Sequence, residues 1–224
     1  MKNHKHLFLV ISVMLMILTL FSLNGCVSGG ETIPKNRTKE QYEFEKTFEP
    51  MLKFLEQDKK EFTGLKSYTS DVYIKNQAEV KKYGVELDIN QADIKGDYTI
   101  TLGDDKETFP VTYSNGKLNY ESEINPIFDE EILNLVIKRD HFASLDVEET
   151  FKSAETELRD IIYAPENHSD LYKHLKNKYD MPEDTVCRIR ISYSSYTIYS
   201  ITIQMISEEK TVQITSTIFK NSKS

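Results

Sequence analysis

From residue 186 to residue 219 the apolar side chains fall at nearly every second position. Cys187, Ile189, Ile191 and Tyr193 form one run, Tyr199, Ile201, Ile203 and Met205 a second, and Val212, Ile214 and Ile218 a third. A period of two belongs to a strand with one buried face, and no helix satisfies it. Three strands therefore follow, at about 186–193, 197–206 and 211–219. With Glu208-Glu209 as a turn, Met205 meets Val212, Ile203 meets Ile214 and Tyr199 meets Ile218. A two-residue loop at Ser194-Ser195 would set Ile189 against Ser200 and mix the faces. One more residue aligns Ile191 with Tyr199 and Ile189 with Ile201, so a bulge or odd-length loop is expected between Ser194 and Thr197.

The same period appears earlier. Val85, Leu87 and Ile89 alternate with Glu86, Asp88 and Asn90, Tyr98, Ile100 and Leu102 with Thr99 and Thr101, and Phe109, Val111 and Tyr113 form a further row. Tyr68, Val72 and Ile74 alternate more weakly. Gly103 to Lys106 reads as a turn. Asn115-Gly116 is a strong hairpin signal, because both positions of a type I′ turn need positive φ. It pairs Tyr113 with Leu118 and Val111 with Tyr120.

Around these rows the spacing turns helical. Thr38 and Gln41 fit a capping box, with Phe44, Phe48, Met51, Leu52, Leu55 and Phe62 behind it and Gly64 at the end. Pro50 kinks that helix or splits it at Glu49. A second helical region is expected over 129–180 in three parts. Asp129-Glu130-Glu131 leads into Ile132, Leu133, Val136 and Ile137. Asp146 caps a stripe of Val147, Phe151, Ala154, Leu158, Ile161 and Ile162, which Pro165 ends. Ser169 or Asp170 starts the third, with Leu171, Leu175 and Tyr179 inward.

The expected class is α+β: an N-terminal helix plus an antiparallel meander, then helices plus a second three-stranded antiparallel meander. Residues 38–224 would form this domain, either as two subdomains, about 38–124 and 125–224, or around one shared sheet. In order of elements alone it resembles the cystatin-like and NTF2-like domains of secreted lipoproteins.

Ahead of it, Lys2 and Lys5 precede an apolar stretch from Leu7 to Leu23, and Leu23-Asn24-Gly25-Cys26 follows. A basic head, an apolar stretch and a small residue before the cut make a secretory signal. The last four residues resemble the lipobox of bacterial lipoproteins. That resemblance implies a signal peptide over 1–25, cleavage after Gly25 and a diacylglycerol carrying palmitate or related chains on the Cys26 sulfur, often with a third acyl chain on the new amino group. Residues 26–37, with Gly29-Gly30 and Pro34, would then be the lipidated cysteine and a flexible linker. The expected location is the cell membrane, lipid-anchored and facing the extracytoplasmic side. An uncleaved membrane anchor is the alternative, although no basic stop follows the apolar run.

Removing residues 1–25 leaves 26 basic against 36 acidic residues, a net charge of −10. Such a surface repels phosphate backbones, so nucleic acid is excluded as a partner. With Cys26 acylated, Cys187 is the one remaining thiol, and its place in an inward row reads as inert packing.

No nucleophile elbow, zinc-protease helix, paired-cysteine or phosphate-loop motif is present. Asp88, Asn90, Asp93 and Asp97 glance at a calcium loop, which fails at Ala92 and at Asp93, where glycine is required. Asp140-His141 and the pair His168 and His174 have neither catalytic nor metal-ligand spacing. No catalytic, cofactor-binding or metal residues are therefore assigned, and no cofactor is expected. Tyr193, Tyr196 and Tyr199 are candidate partner contacts, since tyrosine gives large contact area at low entropy cost.

The expected function is that of a non-catalytic binding or interaction protein with a protein partner outside the cytoplasm. An immunity protein against a secreted bacterial toxin is one specific form of it. The alternatives are a lipid or cell-wall-fragment carrier or sensor, and a wall-active enzyme using paired carboxylates.

Overall fold

The computed structural model describes residues 32–77, 79–89, 93–121, 133, 135–164, 168–194 and 198–221. The chain divides into a unit over Met1–Ile33 and a second over Pro34–Ser224, and the architecture below is that of the second.

Thr38 caps the first helix as its sequence requires. Its side chain accepts from the Gln41 N–H while Gln41 reaches back to the Thr38 N–H. Helix α1 (Lys39–Glu45) runs into a 3-10 turn at Lys46–Phe48, and α2 (Glu49–Leu55) restarts with Pro50 in its first turn. Proline is harmless there because the first N–H groups of a helix have no partner to lose. The helical run expected to reach Phe62 stops at Leu55. Phe62 stays buried, in the loop before the sheet.

Lys60 explains part of that stop. It is 6% exposed, and its ammonium donates to the carbonyls of Phe54 (3.0 Å), Leu55 (3.1 Å), Gln57 (3.1 Å) and Leu135 (2.9 Å). One cation thus satisfies the open carbonyl end of α2 and ties the 135 segment to it. Lys60→Met is expected to cost about 2–3 kcal/mol, since charged hydrogen bonds contribute more than neutral ones. A denaturant titration measures it, and Lys60→Arg, whose planar fork cannot converge on four carbonyls, should not restore the loss.

Among the described residues ten strands follow. They are β1 (Leu65–Asn76), β2 (Glu79–Asp88), β3 (Ile94–Leu102), β4 (Asp105–Ser114), β5 (Lys117–Tyr120), β6 (Val147–Lys152), β7 (Arg159–Tyr163), β8 (Val186–Ser194), β9 (Ile198–Ile206) and β10 (Lys210–Lys220). They form one antiparallel sheet in the order β5-β4-β3-β2-β1-β10-β9-β8-β7-β6. The two meanders share this sheet because β10 returns to pair with β1 along its whole length, Val72 opposite Ile214.

The α+β expectation is therefore corrected: this is a sheet with few helices. Helix α3 (Arg139–Ser144) falls within the region expected to be helical, whereas the helix expected from Asp146 to Ile162 is the strand pair β6 and β7. Its apolar stripe arises because Val147, Phe151, Leu158, Ile161 and Ile162 fall near helical spacing by chance. What decides is tertiary pairing: β7 lays Ile161 against Ile191 and Tyr163 against Ile189. Ser169 does cap a helix, α4 (Asp170–Lys178), with Tyr172 and Leu175 buried. The stretch expected to be helical from Asp129 lies mostly outside the described residues. The order of helices before a meander holds in the first half. In the second, β6 and β7 precede α4.

The pairings expected at Asn115-Gly116 and at the β9–β10 turn are those observed. Ser194 pairs with Ile198, and the bulge or odd-length loop expected between Ser194 and Thr197 lies at 195–197, outside the described residues. The register there is two residues from the expected one, with Tyr193 opposite Tyr199 and Ile191 opposite Ile201, so the buried face is unchanged.

Phe48 of the 3-10 turn and Met51, Leu52, Phe54 and Leu55 of α2 belong to one buried cluster with the inner side chains of the sheet. Each such burial contributes on the order of 1.5–3 kcal/mol. At the β1–β10 seam the inner row turns polar and satisfies itself: Ser70 and Ser216 hydroxyls lie 3.1 Å apart, and Tyr68 Oη donates to Ser216 Oγ at 3.3 Å.

Candidate interaction face

A strand with one row buried presents the other row outward, so the registers that fix the core also fix the outer face. On β1, β10, β9 and β8 that row is unusual. The charged side chains in it are Asp71, Lys75, Arg188 and Arg190, with no glutamate and a single lysine. The remaining positions are mostly Ser, Thr and Gln, in a chain that is 29% charged overall. Protein-binding surfaces are depleted in Lys and Glu and keep Arg and Tyr, and this block follows that pattern.

Hydrogen-bonded neighbours define its levels. One level reads Asp71, Thr215, Thr202 and Arg190. The next toward the end of β1 reads Tyr73, Gln213, Gln204 and Arg188, and the one on the other side reads Thr69, Thr217, Ser200 and Ser192. Within them Thr202 and Thr215 hydroxyls lie 3.4 Å apart, and Gln213 donates to Thr215 Oγ1 at 3.4 Å.

The charges sit at the margins. Lys82 pairs with Asp71 at 3.3 Å and Arg188 with Glu148 at 3.3 Å, while Arg190 neutralises the buried Asp160. Beside the block, Gly84 floors a hollow of about 300 Å³ walled by Thr69, Asp71, Lys82 and Glu86. Such a surface can hydrogen-bond a polar partner without stripping water from many full charges, while its few ions set orientation.

Of the residues singled out in the sequence, Cys26 and Tyr196 lie outside the described residues. Tyr193 and Tyr199 are on the opposite, inner face, 6% and 7% exposed. Their rings pack at 5.0 Å between centroids, and the Arg159 guanidinium lies 5.7 Å over Tyr193. Their contact area is spent on each other and on the core. Burial, and then the neighbouring Tyr193, raises the Tyr199 hydroxyl above its ordinary pKa.

Cys187 is buried as expected of a packing thiol, and burial pushes it up to about 11 from 9.0. The folded state thus holds a proton that the unfolded chain releases above pH 9. Stability contributed by this group is complete below pH 9 and is lost as pH rises to about 11, on the order of 2–3 kcal/mol. Urea titrations at pH 8 and pH 11 should show that drop in the wild type and a smaller one in Cys187→Ala.

A second buried polar group joins Arg37, Glu45 and Tyr163. Arg37 donates to Phe142 O (2.7 Å), to Leu145 O and to Glu45 Oε1 (3.3 Å), and Tyr163 Oη donates to the same Glu45 oxygen. Burial, and then the Glu45 carboxylate, drives the Tyr163 hydroxyl far up in pKa. This group fastens the chain's entry into the fold: Arg37 N–H also closes a turn on Pro34 O at 3.0 Å. Residues 34–37, expected as linker, are folded.

No family model matches the chain, and no curated protein matches it. Among solved structures it is similar to a protein of unknown function of the DUF3598 family from Nostoc punctiforme. Identity there is 6% and the TM-score 0.19, over 70% of this chain and 47% of that one. The chain spans about half the length of that protein. It is also similar to an N-terminal dehydratase from the difficidin assembly line, at 8% identity and a TM-score of 0.16, over 71% and 79% of the two chains. A third is a conserved protein of unknown function with a hot dog fold from Alicyclobacillus acidocaldarius, at 9% and 0.19, over 71% and 80%. Likeness at this level assigns neither fold nor activity.

The outer face is hard to see in the sequence because the apolar half of each alternation carries the strand period. The signal was in the other half. Thr211, Gln213, Thr215 and Thr217 occupy successive outward positions of one strand, where an idle solvent face would carry Lys and Glu.

Proposed function

We propose that this chain is a lipid-anchored extracytoplasmic binding protein whose working surface is the outer face of β1, β10, β9 and β8. The observation that carries the reading is the hydroxyl- and amide-rich block described above, bordered by Asp71, Arg188 and Arg190. The lipobox-like Leu23-Asn24-Gly25-Cys26 supports the anchor. Seven residues, Val27 to Ile33, separate Cys26 from the unit that begins at Pro34. Fully extended they reach at most ~25 Å, so the domain works close to the bilayer. Neutralising a secreted toxin, as immunity lipoproteins do, is the specific form of this reading that a membrane-side position suits.

Two measurements test it. Radiolabelled palmitate should enter the wild-type chain and not Cys26→Ser; an unlabelled wild type overturns the anchor. Thr202→Arg should abolish binding to a secreted protein encoded beside the gene while leaving the melting temperature unchanged. Binding that survives Thr202→Arg overturns the assignment of the face.

A further inference from the structure

We propose that the outer face binds a second copy of this chain, the two sheets packing face to face about a two-fold axis that runs along the strands between β10 and β9. The inference rests on that face being the working surface, and it adds a second copy as an occupant that a secreted partner must displace.

Rotation about this axis sets β1 opposite the second copy's β8, and β10 opposite the second copy's β9. The registers then decide what meets at each level. Asp71 faces the second copy's Arg190, and the reverse contact repeats it, giving two ion pairs. Tyr73 faces the second copy's Arg188, a guanidinium over a ring. Gln213 meets Gln204, amide to amide, and Thr215 meets Thr202. Phe219 meets Ile198 one level beyond Thr69. Lys75 meets Val186 at the other end, so no like charges oppose each other within the block.

The charges also select this axis over its rival. A two-fold running across the strands at the level of Asp71 would set Asp71 against Asp71 and Arg190 against Arg190, at a cost of several kcal/mol. Asp71 already pairs with Lys82 and Arg190 with Asp160, but their side chains remain 36% and 48% exposed, which leaves the second carboxylate oxygen and further guanidinium N–H groups for a trans contact. The block ends naturally at four strands. On the next strands out, Glu86 of β2 would oppose Asp160 of β7.

Four strands at ~4.8 Å spacing and about nine residues at ~3.4 Å rise give a face of roughly 600 Å² per copy. Roughly 1,200 Å² in total is the lower limit of specific interfaces. Association should therefore be weak in solution. It becomes effective where a membrane concentrates the copies.

The test uses the full chain in membranes. Two differently tagged copies, one carrying Thr215→Cys and the other Thr202→Cys, are treated with a short bismaleimide. A mixed-tag dimer is expected. None should form with Thr108→Cys in place of Thr215→Cys, because position 108 shares the level but lies on β4, outside the block. The chain without added cysteines supplies the blank. Adding Thr217→Arg to one copy should reduce the product to that blank, with an unchanged melting temperature.

No product from the 215–202 pair, or an equal product from position 108, overturns the second copy as partner. If that failure accompanies loss of another protein's binding in Thr202→Arg, the face remains the working surface. If such binding also survives, both inferences fall.

Discussion

Replacing Arg37 by methionine is expected to lower the unfolding free energy by about 3–5 kcal/mol, measured by denaturant titration. The guanidinium side chain is fully buried, lies 5.5 Å over the Tyr163 ring and donates to Phe142 O, Leu145 O and Glu45. Methionine fills much of the volume but leaves the Glu45 carboxylate buried with, among the described residues, only the Tyr163 hydroxyl as donor. The cost is therefore that of an orphaned charge, beyond the loss of one ion pair. The double variant Arg37→Met, Glu45→Leu tests this account. Removing both ions should recover part of the loss, a coupling of about 1–3 kcal/mol. If the double variant loses the full sum of the two single changes, the ionic explanation is wrong and packing alone holds the site.

That buried group was invisible in the sequence. Arg37 and Glu45 lie eight residues apart, but Phe142 and Tyr163 come more than a hundred residues later, and nothing local marks the four as neighbours. The strands were legible wherever one face is buried and a turn fixes the register. Asn115-Gly116 placed Tyr113 against Leu118 for both reasons, and Ile203 against Ile214 followed from apolar matching with Glu208-Glu209 as the turn.

The edge strand β6 offered neither clue. In β6, Glu148, Glu149, Thr150 and Phe151 are all exposed, so no alternation survives. Charged side chains on an edge protect it from adventitious pairing, and here they also disguise it as a helix surface. The seam between β1 and β10 joins the two ends of the domain, and no local period reports a pairing at that separation. The working face was legible in principle. Its residues were already assigned to strands, and the composition of their outward half was the unread part.

Two glycines of β2 and β3 should respond to the same substitution in opposite ways. A Cβ on Gly96 would lie 1.8 Å from the Glu86 carbonyl oxygen and 2.9 Å from Leu87 Cα. Both are backbone atoms of the neighbouring strand, paired along its length on both sides, so neither can give way without opening the β2–β3 ladder. Gly96→Ala should therefore cost more than about 3 kcal/mol, above ordinary overpacking, or abolish folding. A Cβ on Gly84 would meet Asp71 Oδ1 at 2.4 Å, the free end of a side chain that can rotate away. Gly84→Ala should cost less than about 1 kcal/mol. Its effect should appear elsewhere: the displaced carboxylate leaves Lys82 and the position from which it would meet a second copy's Arg190. Denaturant titration of both variants, with the 215–202 crosslink measured in Gly84→Ala, separates the two roles. A Gly84→Ala chain that is stable and crosslinks less assigns Asp71 to association. Equal losses of stability at the two positions would show that the hollow beside Gly84 is simply part of the sheet's packing.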